Sequence, residues 1–194
     1  VEKIGGSYYE HPTRTIVTKW ATDLLPSEID KCPVDPYDES KENIFFVGSM
    51  QGENIRRFEN IIKSKGKNFV NVGGYSGRFS LYDGNPPDIN QNIAMVRDSY
   101  ISFDIREKPF FKMGKYYPCR IFKSLSYGKW CGSNMPALKD LFGDYVTFDN
   151  NLDTLYDRVV EDYRSCTEKK MREAMNFIRD EHTYVNRLND LLKL

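Results

Sequence analysis

The chain has little of what marks several large functional classes. Its apolar runs are short, as in Ile44-Phe45-Phe46-Val47, far below the roughly 20 residues that cross a bilayer. No basic-then-apolar segment of the signal-peptide type opens it. Cysteines are few and scattered. Cys32, Cys119, Cys131 and Cys166 follow no Cys-x-x-Cys pattern, which favours reduced thiols over a zinc site or a disulfide framework and points to the cytoplasm. Only two histidines occur, His11 and His182, and no Asp-x-Asp motif sits on a strand, so no metal site is expected. Neither charge sign is in excess. With 28 basic and 28 acidic residues, the chain has no general electrostatic reason to bind nucleic acid.

What is present is a length of 194 residues and a supply of large rings, 12 Phe, 13 Tyr and 2 Trp, enough to build a core without covalent staples. The chain starts at Val1 rather than Met, and we read it as a piece of a longer protein. Residues 1–42 hold a strand-like Thr15–Trp20 and a Pro- and Asp-rich stretch from Pro26 to Asp38, read as the remnant of a preceding domain and a linker. From Asn43 the pattern alternates. Strand-length runs at Asn43–Val47, Asn68–Val72, Tyr100–Ile105, Trp130–Gly132 and Tyr145–Phe148 are interleaved with helical spacing at Glu53–Lys65, Asp88–Arg97, Pro118–Tyr127 and Pro136–Phe142. That alternation predicts an α/β domain over 43–150, a Rossmann-like doubly wound parallel sheet, followed by a helical tail over 151–194. In the tail, Leu155, Val159 and Tyr163, and then Met171, Met175 and Ile178, recur at the spacing of a core-facing stripe.

Ligands of such sheets bind outside the carboxyl ends of the strands. Three places are expected on that edge: the Gly48-Ser49 turn, the charged Arg106–Tyr117 loop, and the start of the helix at Pro118. The helix N-terminus offers free backbone N–H groups and partial positive charge. Arg120 and Lys123 lie on its first turns, where cations are disfavoured, so an anion is expected to compensate them. A diphosphate would serve; the alternative is that both are solvated surface charges. Asp104, Arg106 and Lys108 follow the third strand, where ligand contact and ordinary loop charge both stay open. The Gly73–Arg78 loop reads as a surface connection, His182 as structural, and His11 as part of the upstream remnant.

Three segments carry a family resemblance: Trp20-Ala21-Thr22-Asp23-Leu24-Leu25-Pro26, the Val47-Gly48-Ser49 turn, and Tyr116-Tyr117-Pro118-Cys119-Arg120-Ile121-Phe122-Lys123. With the His182-Thr183-Tyr184 tail they resemble the C-terminal, donor-binding part of GT-B-type glycosyltransferases of a group-1-like family, over about Trp20 to Leu194. The resemblance implies a nucleoside-diphosphate sugar bound by Gly48, Ser49, Tyr117, Cys119, Arg120, Lys123 and Ser124, with no cofactor or metal, and sugar transfer to a glycan or other acceptor. Arg120 matches the cation on the diphosphate and Gly48-Ser49 the turn where backbone approaches it. Lys123 stands where many such enzymes place a ribose-binding Glu, which puts that contact in doubt. The resemblance assigns no catalytic residue to this chain and leaves the acceptor to a missing N-terminal domain. Two alternatives remain: a non-catalytic nucleotide-binding or interaction module, and a GT-B-like nucleotide-sugar epimerase.

Overall fold

The computed structural model describes residues 2–4, 7–10, 15–48, 52–73, 87–108 and 117–193. The chain opens with an antiparallel meander, β1 (Glu2–Ile4), β2 (Ser7–Glu10) and β3 (Thr15–Thr18). The sequence announces only the third of these strands. The stretch read as a linker then begins with a helix, α1 (Pro26–Lys31). Pro26 has no N–H to waste at its first turn, and the Glu28 carboxylate accepts the Leu25 N–H at 2.7 Å. Ile29 buries on its inner side. Only the part beyond α1 is an extended connection.

From β4 (Asn43–Phe46) the elements alternate as the periodicity predicts: α2 (Glu53–Ser64), β5 (Asn68–Asn71), α3 (Ile89–Asp98) and β6 (Ser102–Asp104). Then come α4 (Cys119–Ser126), β7 (Cys131–Ser133), α5 (Pro136–Phe142) and β8 (Thr147–Phe148). Three helices close the chain: α6 (Leu152–Ser165), α7 (Glu168–Glu181) and α8 (Tyr184–Leu191). Caps explain several boundaries. The Asp88 carboxylate accepts the Gln91 N–H and opens α3. Gly66, at φ +76°, ends the turn after α2. Pro118 is the N-cap of α4 rather than its first helical residue.

Every pairing from β4 onward is parallel: β4 with β5, and β6–β7–β8 in order. The expected single sheet is in fact two, and the break falls between β4 and β6. They still abut. The Tyr100 N–H donates to the Asn43 carbonyl at 2.7 Å. Beyond it side chains take the place of a ladder: the Ser99 hydroxyl accepts the Phe45 N–H at 2.9 Å, and the Arg120 guanidinium reaches the Val47 carbonyl at 3.2 Å. Backbone groups that would otherwise be orphaned along this seam are thereby satisfied.

Helices cover both faces. Adjacent strand residues point to opposite sides. Phe103 packs edge-on against Phe58 of α2, with centroids 4.8 Å apart, whereas neighbouring Ser102 bonds the Ser124 hydroxyl of α4 at 2.6 Å. Gly132, paired with Phe103, lies against Val159 and Leu155 of α6, where a Cβ would strike the Val159 side chain. So α2 and α6 lie on one face and α4 on the other, with α7 and α1 stacked beyond α4. The expected stripes are all inward: Leu155, Val159, Tyr163, Met171, Met175 and Ile178 are buried in one apolar cluster with the strands.

The connection between α1 and β4 is held by a buried cation. Lys129 is fully buried, and its ammonium donates to Asp35 at 2.8 Å, to the Arg97 carbonyl at 3.3 Å and to the Ser99 carbonyl. Burial pulls its pKa down to about 8 against the opposing pull of Asp35. Asp35 also pairs with Lys41 at 3.2 Å, so removing Lys129 leaves the carboxylate one cation, and the loss is that of the charged hydrogen bonds rather than of a lone buried pair. Lys129→Met is therefore expected to lower the urea-unfolding free energy by about 2 kcal/mol; a change below about 1 kcal/mol would show that the lock contributes little.

His182 is the structural residue the sequence suggests, although it caps the end of α7 rather than starting a helix. Its ring sits among Phe122, Phe142 and Phe177, and its Nδ1 accepts from the Arg187 guanidinium at 2.8 Å. Burial first, then Arg187 and Lys19, pull its pKa down to about 3. Between pH 6.5 and about 3 the unfolded chain holds a proton that the folded chain excludes, so this contribution to stability is present above that window and lost as pH falls through it. From pH 7 to pH 5 the group alone removes about 2 kcal/mol. Equilibrium unfolding at the two values checks this: His182→Gln should lose that share of the slope, and an unchanged slope would clear His182.

Candidate functional site

The seam between β4 and β6 ends at a buried carboxylate. Asp104, the last residue of β6, is fully buried, and its backbone carbonyl accepts the Ser133 hydroxyl at 2.8 Å. An isolated carboxylate there would be costly to bury. Two guanidiniums share it. Arg106 forks onto it through Nε and Nη2, each at 2.9 Å, and Arg120, from the first turn of α4, makes a short charge-assisted bond to the same oxygen as Arg106 Nη2. The Arg120 guanidinium carbon also stands 4.2 Å from the centroid of the Phe46 ring. Its Nε is buried and has no hydrogen-bond partner among the described residues, while 19% of the side chain stays exposed. Arg120 is thus at the carboxyl ends of the parallel strands, where a cation for a ligand is expected.

Gly48 belongs to the same spot because space requires it. A Cβ there would collide with the Arg120 guanidinium, and a Cβ at Gly73 would collide with the Gly48 backbone. The N-cap of α4, Pro118, provides no side-chain cap, and a helix start has N–H groups and partial positive charge suited to an anion.

The other expected donor-site residues lie elsewhere or are engaged. Lys123 pairs with Asp23 at 2.7 Å, and Asp23 also accepts the Tyr127 hydroxyl at 2.5 Å. The two cations expected to need an external anion are thus compensated from within, Arg120 by Asp104 and Lys123 by Asp23. Ser124 is buried, with its hydroxyl spent on Ser102. Tyr117 lies under the Lys19 ammonium, 4.6 Å from its centroid. Cys119 is half-buried. Ser49 lies outside the described residues, as do His11 and the stretch from Gly74 to Arg78.

The segments that carry the family resemblance meet around α4. Thr22 pairs with Thr183 as an isolated parallel bridge, and its hydroxyl bonds that of Ser126 at 2.6 Å. The Thr22 N–H donates to the His182 carbonyl at 3.1 Å, and His182 packs on Phe122.

Sequence reasoning missed three residues of this edge. The Glu107 carboxylate accepts the Asn54 N–H at 2.6 Å, placing an internal anion at the positive end of α2. There Gly52, at φ +112°, leaves room that any Cβ would take from Glu107. Asn54 and Asn134 both donate their amides to the Arg106 carbonyl, at 2.8 and 2.9 Å, and Asn134 accepts the Arg106 N–H at 2.8 Å. No motif announces these contacts, since they join loops far apart in the chain.

Among the described residues no cluster of His, Cys, Asp and Glu is arranged to hold a metal ion, and no helix is long and apolar enough to cross a membrane. Comparison of the chain with protein-family models, with curated proteins and with solved structures finds no match.

Gly48→Ala tests the packing of the seam. The added methyl must push the guanidinium off the Val47 carbonyl and Asp104, so a loss of about 1–3 kcal/mol in unfolding free energy is expected. In the double variant with Arg120→Ala the Gly48→Ala cost should largely disappear, because neighbours that share a contact are non-additive. Full additivity would show that the collision is not what the glycine avoids.

Proposed function

We propose that this chain is the nucleotide-sugar-binding half of a glycosyltransferase built from two Rossmann-like domains, the GT-B arrangement. One observation carries the reading: Arg120 presents a partly exposed guanidinium beside an uncapped helix N-terminus, at the carboxyl ends of β4 and β6. In open parallel sheets this is the edge where ligands bind, at the point where strand order reverses. The order β5–β4, then β6–β7–β8, with helices on both faces, supports a doubly wound sheet with the β4–β6 seam as that point.

In this reading the diphosphate of the donor lies against the first N–H groups of α4 and the Arg120 guanidinium. Asp104 does not cancel that role. It holds the planar fork in place before the ligand arrives, and such preorganisation is what makes a donor effective toward charge developing on a leaving group. Gly48 lets backbone and guanidinium approach each other. The acceptor and any catalytic base come from a part of the enzyme outside this chain, so the isolated chain binds donor weakly and transfers little. No metal or cofactor enters the reaction in this reading.

A second reading has one observation in its favour. Both cations of α4 are already paired within the chain, as in a module that kept the fold and uses it for another interaction; fold by itself does not choose.

Calorimetry with UDP, GDP and dTDP separates the two. The glycosyltransferase reading expects at least one diphosphate to bind the intact chain and to raise its melting temperature. Arg120→Gln should weaken that binding by about tenfold, the loss of one charge-assisted contact. Equal affinity in both proteins would remove Arg120 from the site, and no binding by any of the three would favour the interaction module.

A further inference from the structure

At the carboxyl ends of the parallel strands, on the side covered by α2 and α6, lies a cavity of about 630 Å³, within the size range of small-ligand pockets. It opens among the start of α2, the loop after β6, and the turns that lead into α5 and α6. Its walls include Asn54, Lys108, Pro136, Asn150, Asn151 and Leu152. Because α2 and α6 cover the Phe103 face while Arg120 comes from the α4 face, it is separate from the diphosphate site. Arg106 connects the two: its guanidinium grips Asp104, and its carbonyl holds the Asn54 amide at the cavity wall.

We propose that this cavity binds a hexopyranose ring in its own right, without a nucleotide attached. The polar lining is mostly carboxamide, and three of these groups keep polar atoms unspent among the described residues. Asn54 uses its amide N–H on Arg106 and retains Oδ1. Asn151 uses Oδ1 to cap α6 through the Asp153 N–H and retains Nδ2. Asn150 is exposed, and both its amide and its carbonyl remain available. A carboxamide donates and accepts, and so does a sugar hydroxyl, so the two match; the two cations that also line the cavity, Arg57 and Lys108, are exposed, and Arg57 pairs with Asp153.

Pro136 and Leu152 supply an apolar wall for the C–H face of the ring. No aromatic ring occurs among the described lining residues. The frame is stiff where it matters. The turn before α6 is braced by Asp149, which accepts the Asn151 N–H at 2.9 Å and bonds Thr154 and Arg158. Burial opposes its ionisation, but those three donors hold its pKa below the usual carboxylate range. Such a ring has two sources, a free glycan end or the sugar of a nucleotide donor, and the proposal commits to binding that needs no nucleotide.

Saturation-transfer NMR on the full chain tests it, with methyl glucosides, galactosides and mannosides in one arm and UDP-glucose and UDP in the other. At least one methyl hexoside should receive transfer. Asn150→Trp, which fills the mouth, should abolish it, while Asn150→Asp, of the same shape but without the amide donor, should weaken binding by about fivefold, the worth of one hydrogen bond. A melting curve confirms that each variant folds, and the Asp variant serves if the Trp variant does not. Excess UDP should leave transfer to the methyl hexoside undiminished, so failure of this site and failure of the diphosphate site remain distinguishable. The proposal is overturned by no transfer from any methyl hexoside, by undiminished transfer in a folded Asn150 variant, by displacement of the hexoside by UDP, or by transfer to the sugar only when it is linked to UDP.

Discussion

One buried carboxylate shared by two guanidiniums holds the seam of this protein together. Where β4 and β6 abut, the regular ladder fails, and Asp104 with Arg106 and Arg120 takes over its role. The interaction joins the end of β6 to α4 directly and, through Arg120, to the Val47 carbonyl at the end of β4. It also fixes the backbone of Arg106, whose N–H and carbonyl are bound by Asn134 and whose carbonyl also receives Asn54. A buried ion cluster of this kind is weak evidence for stability. Its worth is geometric, because it determines how one half of the parallel strands sits against the other.

The opposite edge of the strands is fastened by the same chemistry with different residues. Lys129 ties Asp35 in the connecting segment to the carbonyls of Arg97 and Ser99, and the Tyr163 hydroxyl adds a bond to the Asp35 carbonyl at 2.7 Å. Between the two edges the interior is apolar, with Phe46, Phe58 and Phe103 in contact across the strands and α2. Hydrophobic burial makes the layers cohere but is not directional. The polar cluster at each end sets how they align, and this combination leaves a rigid rim on which a ligand site can be built.

Two regions of that rim differ in character. On the α4 face the groups are cationic and backbone donors, suited to a phosphate. On the α2–α6 face they are carboxamides beside an apolar wall, suited to hydroxyls. The seam lies between them, and Arg106 belongs to both. A nucleotide-sugar enzyme needs both kinds of chemistry near one another, which is why the glycosyltransferase reading and the hexose cavity are compatible although neither requires the other.

The amino-acid pattern by itself determined the elements and their order. Local forces decide these: the apolar run of Ile44–Val47, the inward stripe of Leu155, Val159 and Tyr163, the Asp88 cap and the stop at Gly66 are each readable within one element. Arg120 and Gly48 were legible as candidate residues of the strand edge for the same reason, one near a helix start and one at a strand end. What only the tertiary structure decided were the contacts between distant segments. Lys123 looks free in the sequence and pairs with Asp23, 100 positions away. Ser124, which the resemblance places among the donor-binding residues, is buried against Ser102. The break between β4 and β6, the Glu107 carboxylate at the start of α2, and the α1 helix hidden in a Pro-rich stretch have the same origin. Side chains at such positions choose partners by distance in space, and no local periodicity encodes that distance.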